Sequence, residues 1–402
     1  MRIKQITSSL ALLSASALPA YSYAESYLLD RAANLPRYNG SLSAGGVALY
    51  GSVDSGINVI RSGDAASTLR LQSGGEHTTK LGLYGRENIS ADLSVEFNHE
   101  SGLYGDTGKL QDSKSMFNRE SWVGLKSRQF GTLRFGKQLA SALPLFVDVF
   151  GAVETNSVYS WVGGGASQGT AGIGYNSDLG AGSMAAPSRV ARAITYTTPR
   201  RYGVEAQFMM ATKDQGAANA VGSPNIVNRG GVLSYAAGHV YLAGSYNQAW
   251  STPSEAEGIA AVRNDSSGLA AIYDDGDLVL SSSVMQLSSR RADNASARVY
   301  TLGSIVRHAR HHYRASLVYR EVLGRARNAS PGQGSSALGL MLGYDYEISK
   351  RTALYARFGV LNNRGASTIV INGNPLPLMS DGQTPQSGLR TTSFSLGMAH
   401  QF

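Results

Sequence analysis

The carboxy-terminal stretch, residues 389–402, constrains the fold more than any other part of this sequence. From Thr392 the even positions are Thr, Phe, Leu, Met, His and Phe, and the odd positions from Thr391 are Thr, Ser, Ser, Gly, Ala and Gln. This period-two pattern predicts a strand of about ten residues with one apolar and one small polar face. At the edge of a soluble sheet such a strand would invite aggregation. In a membrane barrel its apolar face meets lipid and its polar face meets water.

The amino terminus is expected to be removed from the mature chain. Arg2 and Lys4 provide a positive start, residues 10–18 an apolar centre, and Ser22-Tyr23-Ala24 a small-x-small cleavage site, which together predict a signal peptide at residues 1–24. Cleavage after Ala20 is the alternative. Residues 25–45 have no clear period and are interpreted as a leader.

Two absences narrow the fold further. The sequence has no cysteine, which excludes disulfides and thiolate metal sites. It has no later run of eighteen or more apolar residues, so no transmembrane helix is predicted.

The alternation recurs along residues 46–402 and predicts sixteen antiparallel strands joined by alternately short and long connections. The first strand is predicted at residues 46–58, a polar loop at 61–75 and the second strand at 81–85. The connection at residues 139–188 is far longer, and a loop of that length usually has a function of its own. The predicted fold is an all-β, sixteen-stranded transmembrane barrel. Its last strand should close against the first.

The charge balance favours anions as the partner of this chain. The formal charge is +8, the pI is about 9.5, and 28 of the 36 basic residues are arginine. Arginine keeps its charge in any environment and offers a planar fork of donors, which suits a wall that faces anions. Nucleic acid is disfavoured, because the exported chain has neither basic tracts nor a nucleic-acid-binding motif.

Five stretches resemble the general diffusion porins of Gram-negative bacteria, especially the beta-proteobacterial branch. They include the Val47–Gly56, Leu81–Ile89 and Ala193–Pro199 segments and the terminal Phe402. The most recognisable is Phe117–Leu125 followed by Phe130–Gln138. The resemblance covers about residues 46–402. This sequence differs in its longer leader and in the lack of a sharp acidic motif of the enteric type.

The resemblance implies a sixteen-stranded, homotrimeric barrel in the outer membrane, with the third long loop (residues 139–188) folded into the lumen. It further implies that acidic residues on this loop face basic residues on the wall. A pore of this kind sorts solutes by size and by charged rings at its narrowest point.

Three basic residues are candidates for the constriction wall. Strand alternation puts Lys80 and Arg134 on polar faces, and the family pattern turns Arg119 inward. Alternation also puts four further arginines on polar faces, where they would extend the positive field: Arg189, Arg314, Arg320 and Arg357. Solvated lumen charges without a privileged place remain the alternative for all seven.

The counter-charges are expected on the long connection. Asp148 and Glu154 are the only acids between residues 143 and 176. An ordinary exposed loop is the alternative. Tyr50, on the lumen side of the first strand, would narrow the pore or pack against the loop.

No cofactor, metal or catalytic site is predicted. The arginines around His308–His312 would repel a cation, and the spacing singles out no hydrolase constellation. The predicted function is passive diffusion of small hydrophilic solutes and ions, with a mild anion preference. The alternatives are a substrate-specific porin for a sugar or a particular anion and, from another class, an outer-membrane enzyme or adhesin.

Overall fold

The computed structural model describes residues 42, 45–141, 147–151, 156–214, 224–252, 258–327 and 329–402. The predicted signal peptide, most of the predicted leader and Glu154 therefore lie outside the described residues.

Nineteen strands account for most of the described chain. They are β1 (Gly46–Ser62), β2 (Thr68–Ser73), β3 (Lys80–Asn88), β4 (Leu93–Gly102), β5 (Glu120–Ser127), β6 (Gly131–Leu139), β7 (Ala166–Gly169), β8 (Gly172–Tyr175), β9 (Arg189–Thr197), β10 (Val204–Thr212), β11 (Ile226–Ala237), β12 (Val240–Trp250), β13 (Arg263–Asp274), β14 (Leu278–Ser289), β15 (Ser296–His308), β16 (His311–Leu323), β17 (Ser335–Ser349), β18 (Thr352–Gly365) and β19 (Arg390–Gln401). A π-helical turn at Tyr159–Gly163 and a 3₁₀ turn at Ser177–Leu179 lie between β6 and β9. Among the described residues, no helix is long and apolar enough to cross a bilayer.

Seventeen of these strands form one antiparallel sheet that closes on itself. β2 and β3 pair with successive halves of β1, so they share one position of the wall, and the barrel has sixteen positions. β7 and β8 form a separate hairpin. The predicted sixteen-stranded antiparallel barrel is confirmed.

The predicted closure of the barrel is also confirmed. β19 pairs with β1 over eleven residues, and Leu396 lies opposite Ile57. Phe394 lies opposite Val59. Phe394, Leu396 and Ile57 are about half exposed, as expected of side chains that face lipid.

The predicted polar loop at residues 61–75 is wrong in part. Thr68–Ser73 forms β2, in which the outward Leu69 and Leu71 alternate with polar residues. Two apolar residues are too few to establish a period, so the sequence pattern alone does not predict this strand. The second strand of the wall is therefore interrupted rather than short, because residues 74–79 leave the sheet between β2 and β3.

The barrel has a short-turn rim and a long-link rim. Turns such as Gly238 and residues 275–277 join strands at one rim, whereas links such as 251–262 and 324–334 join them at the other. Barrels of this kind place short turns on the periplasmic side and long links outside the cell. The long-link rim is therefore the extracellular rim.

The largest cluster of buried apolar side chains lies inside the barrel. It joins residues of the long loop (140–188), including Val149, Phe150 and Trp161, to inward-facing wall residues such as Ile305 and Met341. Trp161 is 1% exposed. Burial of each large apolar side chain stabilises the arrangement by about 1.5–3 kcal/mol. The described part of the long loop is therefore held against the inner wall.

Inward-facing glycines form the seat of this loop. A Cβ at Gly339 on β17 would lie 2.9 Å from Val162, and a Cβ at Gly303 on β15 would lie 2.7 Å from Val149. At Gly343 it would lie 2.6 Å from Phe150. The absence of side chains at these positions lets the loop approach the sheet closely.

Candidate functional site

Two of the predicted wall residues share one carboxylate. Lys80 Nζ lies 2.9 Å from Glu100 Oε2, and Arg119 Nε lies 2.5 Å from Glu100 Oε1. Glu100 is 3% exposed, whereas the side chains of Lys80 and Arg119 are 17% and 15% exposed. Two cations around one anion leave a net positive charge, and the buried carboxylate fixes their positions.

Tyr50 belongs to the same cluster. Its hydroxyl lies 3.0 Å from Glu100 Oε2 and 2.9 Å from Asn98 Oδ1, and Lys80 Nζ lies 5.6 Å from its ring centre. A Cβ at Gly82 would lie 2.1 Å from the ring, so this glycine lets Tyr50 lie flat on the neighbouring strand. Tyr50 therefore supports the wall charges through its contacts with wall residues.

A second layer repeats the arrangement closer to the periplasmic rim. Glu96 lies four residues before Glu100 on β4, which is about 13 Å along a strand. Its Oε1 lies 3.5 Å from Lys126 Nζ and 3.9 Å from Arg86 Nη1. The inner face of β3–β5 therefore carries two carboxylates that are each shared by two cations, besides the buried Glu120 opposite Glu100.

Arg134 lies at the level of the second layer. The register aligns Arg134 on β6 with Gly124 on β5, and Gly124 with Glu96 on β4. The guanidinium lies 4.2 Å from the ring centre of Trp122, a cation–π contact that keeps the charge flat against the wall. Trp122 donates in turn to Glu120 at 2.8 Å.

Strands β16–β18, which lie beyond β1 and β19 from β3 and are called the far wall, carry a third shared carboxylate. Asp345 Oδ2 lies 2.5 Å from Arg314 Nε, and Asp345 Oδ1 lies 2.5 Å from Arg357 Nη1. Arg314 donates to the carbonyl oxygen of Val149 on the long loop at 2.7 Å. The guanidinium of Arg357 lies 5.3 Å from the Phe150 ring centre. These two arginines are almost fully buried and hold the long loop.

The long loop also forms an ion pair that sequence reasoning missed. Arg320 Nη2 lies 2.9 and 3.1 Å from the two carboxylate oxygens of Asp178, and its Nη1 donates to Asn176 Oδ1 at 2.8 Å. Asp178 lies just beyond residues 143–176, the window to which the predicted counter-charges were confined. Its position within the same connection was the available signal.

Asp148, the described one of the two predicted counter-charges, is fully buried in the long loop. Its Oδ2 accepts a hydrogen bond from Ser157 Oγ at 2.5 Å. Burial and the nearby Asp148 charge raise the pKa of the Tyr159 hydroxyl well above its usual value. Asp148 therefore lies on the loop beside the far wall, next to the backbone that Arg314 contacts.

A short inward segment, residues 74–79, was also missed. The backbone amides of Glu76 and His77 donate to Asp54 Oδ2, each at 2.7 Å. Tyr355 donates to the other oxygen of the same carboxylate at 2.8 Å. Gly74-Gly75 was the available signal, because paired glycines interrupt a strand pattern.

The inward segment reaches the far wall and the long loop. Glu76 Oε1 lies 3.7 Å from Arg314 Nη2, and Asn156 Nδ2 on the long loop donates to the carbonyl oxygen of Gly75 at 3.2 Å. Burial raises the pKa of Glu76 to about 7, with Asp345 as the second cause and Arg314 opposing. Burial and Arg314 lower the pKa of His77 to about 3, so this imidazole is neutral at physiological pH.

A closed antiparallel barrel with an apolar outer face and a charged interior is an outer-membrane channel. The chain belongs to the Gram-negative porin family, whose sequence profile matches residues 9–366.

Relatives agree with this assignment. The chain is 27% identical to outer membrane porin protein 32 of Delftia acidovorans over 370 residues, which cover 90% of this chain and 95% of that protein. It is also 27% identical to an outer membrane porin protein of Bordetella pertussis over 251 residues, 57% of this chain and 60% of that one. The solved anion-selective porin from Comamonas acidovorans has a TM-score of 0.71 and 25% identity, with 89% of this chain and all of that chain covered. The protein is a porin of the outer membrane.

Proposed function

We propose that this porin is a water-filled diffusion channel that prefers small anions, and that the charged layers on β3–β6 set that preference. The observation that carries the proposal is the sharing of Glu100 between Lys80 and Arg119. Each shared carboxylate leaves an excess of one positive charge, Arg134 adds another at the level of Glu96, and the buried Glu120 offsets one of these three.

The effect of these charges on a permeating ion depends on their position as well as on their number. Fixed charges in a narrow, low-dielectric passage act on a permeating ion more strongly than the same charges in open water. The partly exposed side chains of Lys80 and Arg119 face solvent, whereas Glu100 lies behind them. A permeating anion therefore meets cations first. The anion selectivity named for the similar porin from Comamonas acidovorans supports the same interpretation.

The long loop and the inward segment together form the opposite side of the passage in this proposal. The anchors at Arg314, Arg320 and Arg357 bind the loop to the far wall. Glu76, whose carboxylate lies 3.7 Å from Arg314, supplies acidic charge on this side of the passage, and Asp148 is a second acid near the same arginine. Solutes then pass between this acidic side and the basic layers of β3–β6.

The proposal includes the maturation and assembly of the chain. Residues 1–24 act as a signal peptide, residues 25–45 as a leader and residues 46–402 as the barrel, which assembles as a homotrimer and has no catalytic activity. Mass spectrometry of the amino terminus and light scattering of the detergent-solubilised protein test the cleavage site and the trimer.

Liposome swelling tests the diffusion function. Vesicles that contain the protein should swell at rates that fall smoothly with solute size for neutral sugars. At matched size, an anionic solute should enter faster than a cationic one. Saturation of uptake by one sugar or anion would instead indicate a substrate-specific porin. Equal exclusion of all solutes would overturn the diffusion function itself.

A further inference from the structure

The first described residue, Leu42, lies inside the barrel although it precedes β1. It packs against three inward-facing aromatic residues of the wall, Tyr50, Tyr84 and Trp122. Two residues separate Leu42 from Gly45, where the description of the barrel begins, so the contact lies within one barrel. The chain before β1 therefore touches the inner wall of its own channel.

Two glycines turn the chain at the periplasmic rim. Gly45 and Gly46 have φ angles of 81° and 137°, a region that favours glycine. A Cβ at Gly45 would lie 3.2 Å from the carbonyl oxygen of Arg86, and one at Gly46 would lie 3.9 Å from the Leu42 side chain. Tyr84 lies two residues farther from this rim than Arg86 on β3. The contact of Leu42 with Tyr84 therefore places the chain before Gly45 on the lumen side of the turn.

The aromatic cluster (Tyr50, Tyr84 and Trp122) is buried even though it faces the lumen. Each of the three residues is 6% exposed. The described part of the long loop packs on another part of the wall, against residues such as Ile305. Leu42 contributes an apolar contact to the cluster from outside the strands. The cluster thus has the character of a docking surface for the chain before β1.

The aromatic cluster lies between the two charged layers of the wall. Tyr84 and Trp122 are both aligned with Asn98, which lies midway between Glu96 and Glu100 on β4. A chain docked on this surface therefore lies beside the cations that share these carboxylates.

We propose that residues 25–41 occupy the lumen beside the aromatic cluster and narrow the pore next to the charged layers. This inference goes beyond the diffusion function and rests on the proposed cleavage after Ala24. The seventeen residues span at most about 60 Å when extended, whereas the apolar band of such a barrel is about 25 Å tall. The segment is therefore long enough to cross the passage.

The composition of residues 25–41 suits an aromatic surface between cations. The segment contains five large apolar or aromatic residues: Tyr27, Leu28, Leu29, Leu35 and Tyr38. Its two acids, Glu25 and Asp30, balance two arginines, so its side chains carry no net charge that the cationic layers would repel.

Deletion of residues 25–40 tests the proposal in planar bilayers. An extended chain is about 5 by 10 Å in cross-section, so its removal should raise single-channel conductance roughly 1.5- to 2-fold. Replacement of the same residues by a glycine–serine segment of equal length should also raise conductance and should increase current fluctuations, because the apolar side chains are lost. Met379→Ser, at an exposed site of the β18–β19 link, should conduct as the wild type does.

Leu42→Ser tests the docking contact itself. In the full-length chain this substitution should move the conductance toward that of the deletion variant. In the deletion variant it should change nothing, because two changes that act through one contact are not additive. Equal effects of Leu42→Ser in both chains would show that Leu42 acts on the wall alone and would overturn the proposal.

Two further results would also overturn it. One is an unchanged conductance in the deletion variant when heat-modifiable mobility shows that the variant is folded; if it does not fold, the glycine–serine replacement gives the same test. The other is a mature amino terminus beyond residue 41, measured by mass spectrometry of the purified channel. The reversal potential of the deletion variant should keep the wild-type sign, because Lys80 and Arg119 remain. The docking of the segment and the anion preference are thus tested by separate measurements.

Discussion

Glu100 lies between Lys80 and Arg119 on the inner wall, 2.9 Å from the first and 2.5 Å from the second. One carboxylate thus sets the position of two cations that sequence alone assigned to the pore. Burial of an acid between two bases keeps their positive charge in the lumen while it limits their movement.

Replacement of Glu100 by Gln tests how much the negative charge of this side chain contributes to the ion selectivity of the channel. Glu100→Gln removes one negative charge from the wall, so the channel should become more anion-selective. A unit charge at about 10 Å in water contributes on the order of 0.4 kcal/mol, or roughly a twofold change in permeability ratio. Reversal potentials in a potassium chloride gradient measure this ratio. Glu87→Gln, at an exposed site near the periplasmic rim, is the control. A shift toward cations would show that Glu100 has another role.

The pKa of Glu76 predicts a pH-dependent step in selectivity. Burial raises this pKa to about 7, so Glu76 is neutral at pH 5.5 and charged at pH 8.5. The lumen therefore gains a negative charge as the pH rises, and anion preference should fall across neutrality. The groups that face Glu76 are Arg314, Arg357, Asp345 and Asp54.

His77 makes no contribution to this step, because its pKa of about 3 keeps it neutral throughout the range. Selectivity measured at half-unit intervals should follow a single titration in the wild type. Glu76→Gln should hold the channel at its acidic-side selectivity at every pH. Persistence of the step in this variant would assign it to another group.

The ion pair between Arg320 and Asp178 should keep the long loop still. Asp178→Asn leaves a guanidinium without its counter-charge in a nearly fully buried site, which costs about 3–5 kcal/mol in comparable cases. We expect larger current fluctuations in the open channel and a lower temperature of unfolding in detergent. Asp106→Asn, at an exposed loop site, should change neither. Current fluctuations of wild-type size in Asp178→Asn would show that apolar contacts alone hold the loop.

The glycine seat gives an independent test of loop packing. In Gly339→Ala the new Cβ would lie 2.9 Å from Val162 and 3.1 Å from Val158. Overpacking of this kind costs about 1–3 kcal/mol and should push the loop toward the lumen, which lowers single-channel conductance. Gly244→Ala faces the outer surface, where the nearest atom is the end of the Leu269 side chain, and serves as the control. Unchanged conductance in Gly339→Ala would show that the long loop does not need a glycine at this position of the inner wall.

The barrel was predictable because its alternation is local. Exposed apolar residues alternate along the strands with inward-facing residues, many of them small or polar, and the last strand closes on the first. The interruption between β2 and β3 was not predictable from this local pattern. Residues 68–73 contain only two outward leucines, and the path of residues 74–79 depends on hydrogen bonds to Asp54, which lies twenty residues earlier.

The charged site was predicted only in part for a similar reason. The alternation of side chains along a strand predicts that Lys80 and Arg134 face inward. It does not predict which acid on a neighbouring strand each cation contacts. The pairing with Glu100 depends on strand register, and the pairing of Arg320 with Asp178 depends on how the long loop folds. Asp148 is a predicted counter-charge because it is one of two acids in residues 143–176. Its burial and its hydrogen bond from Ser157 depend on how the loop folds, which the sequence pattern does not show.

The reversal potential of the wild-type channel in a salt gradient tests the central claim most directly. In a planar bilayer at pH 8.5 the sign should be that of chloride preference, and Lys80→Glu/Arg119→Glu should move it toward potassium. Heat-modifiable mobility on a gel should show that the double variant is folded. Cation preference in the wild type, or an unmoved potential in the folded double variant, would contradict the assignment of selectivity to the layers on β3–β6.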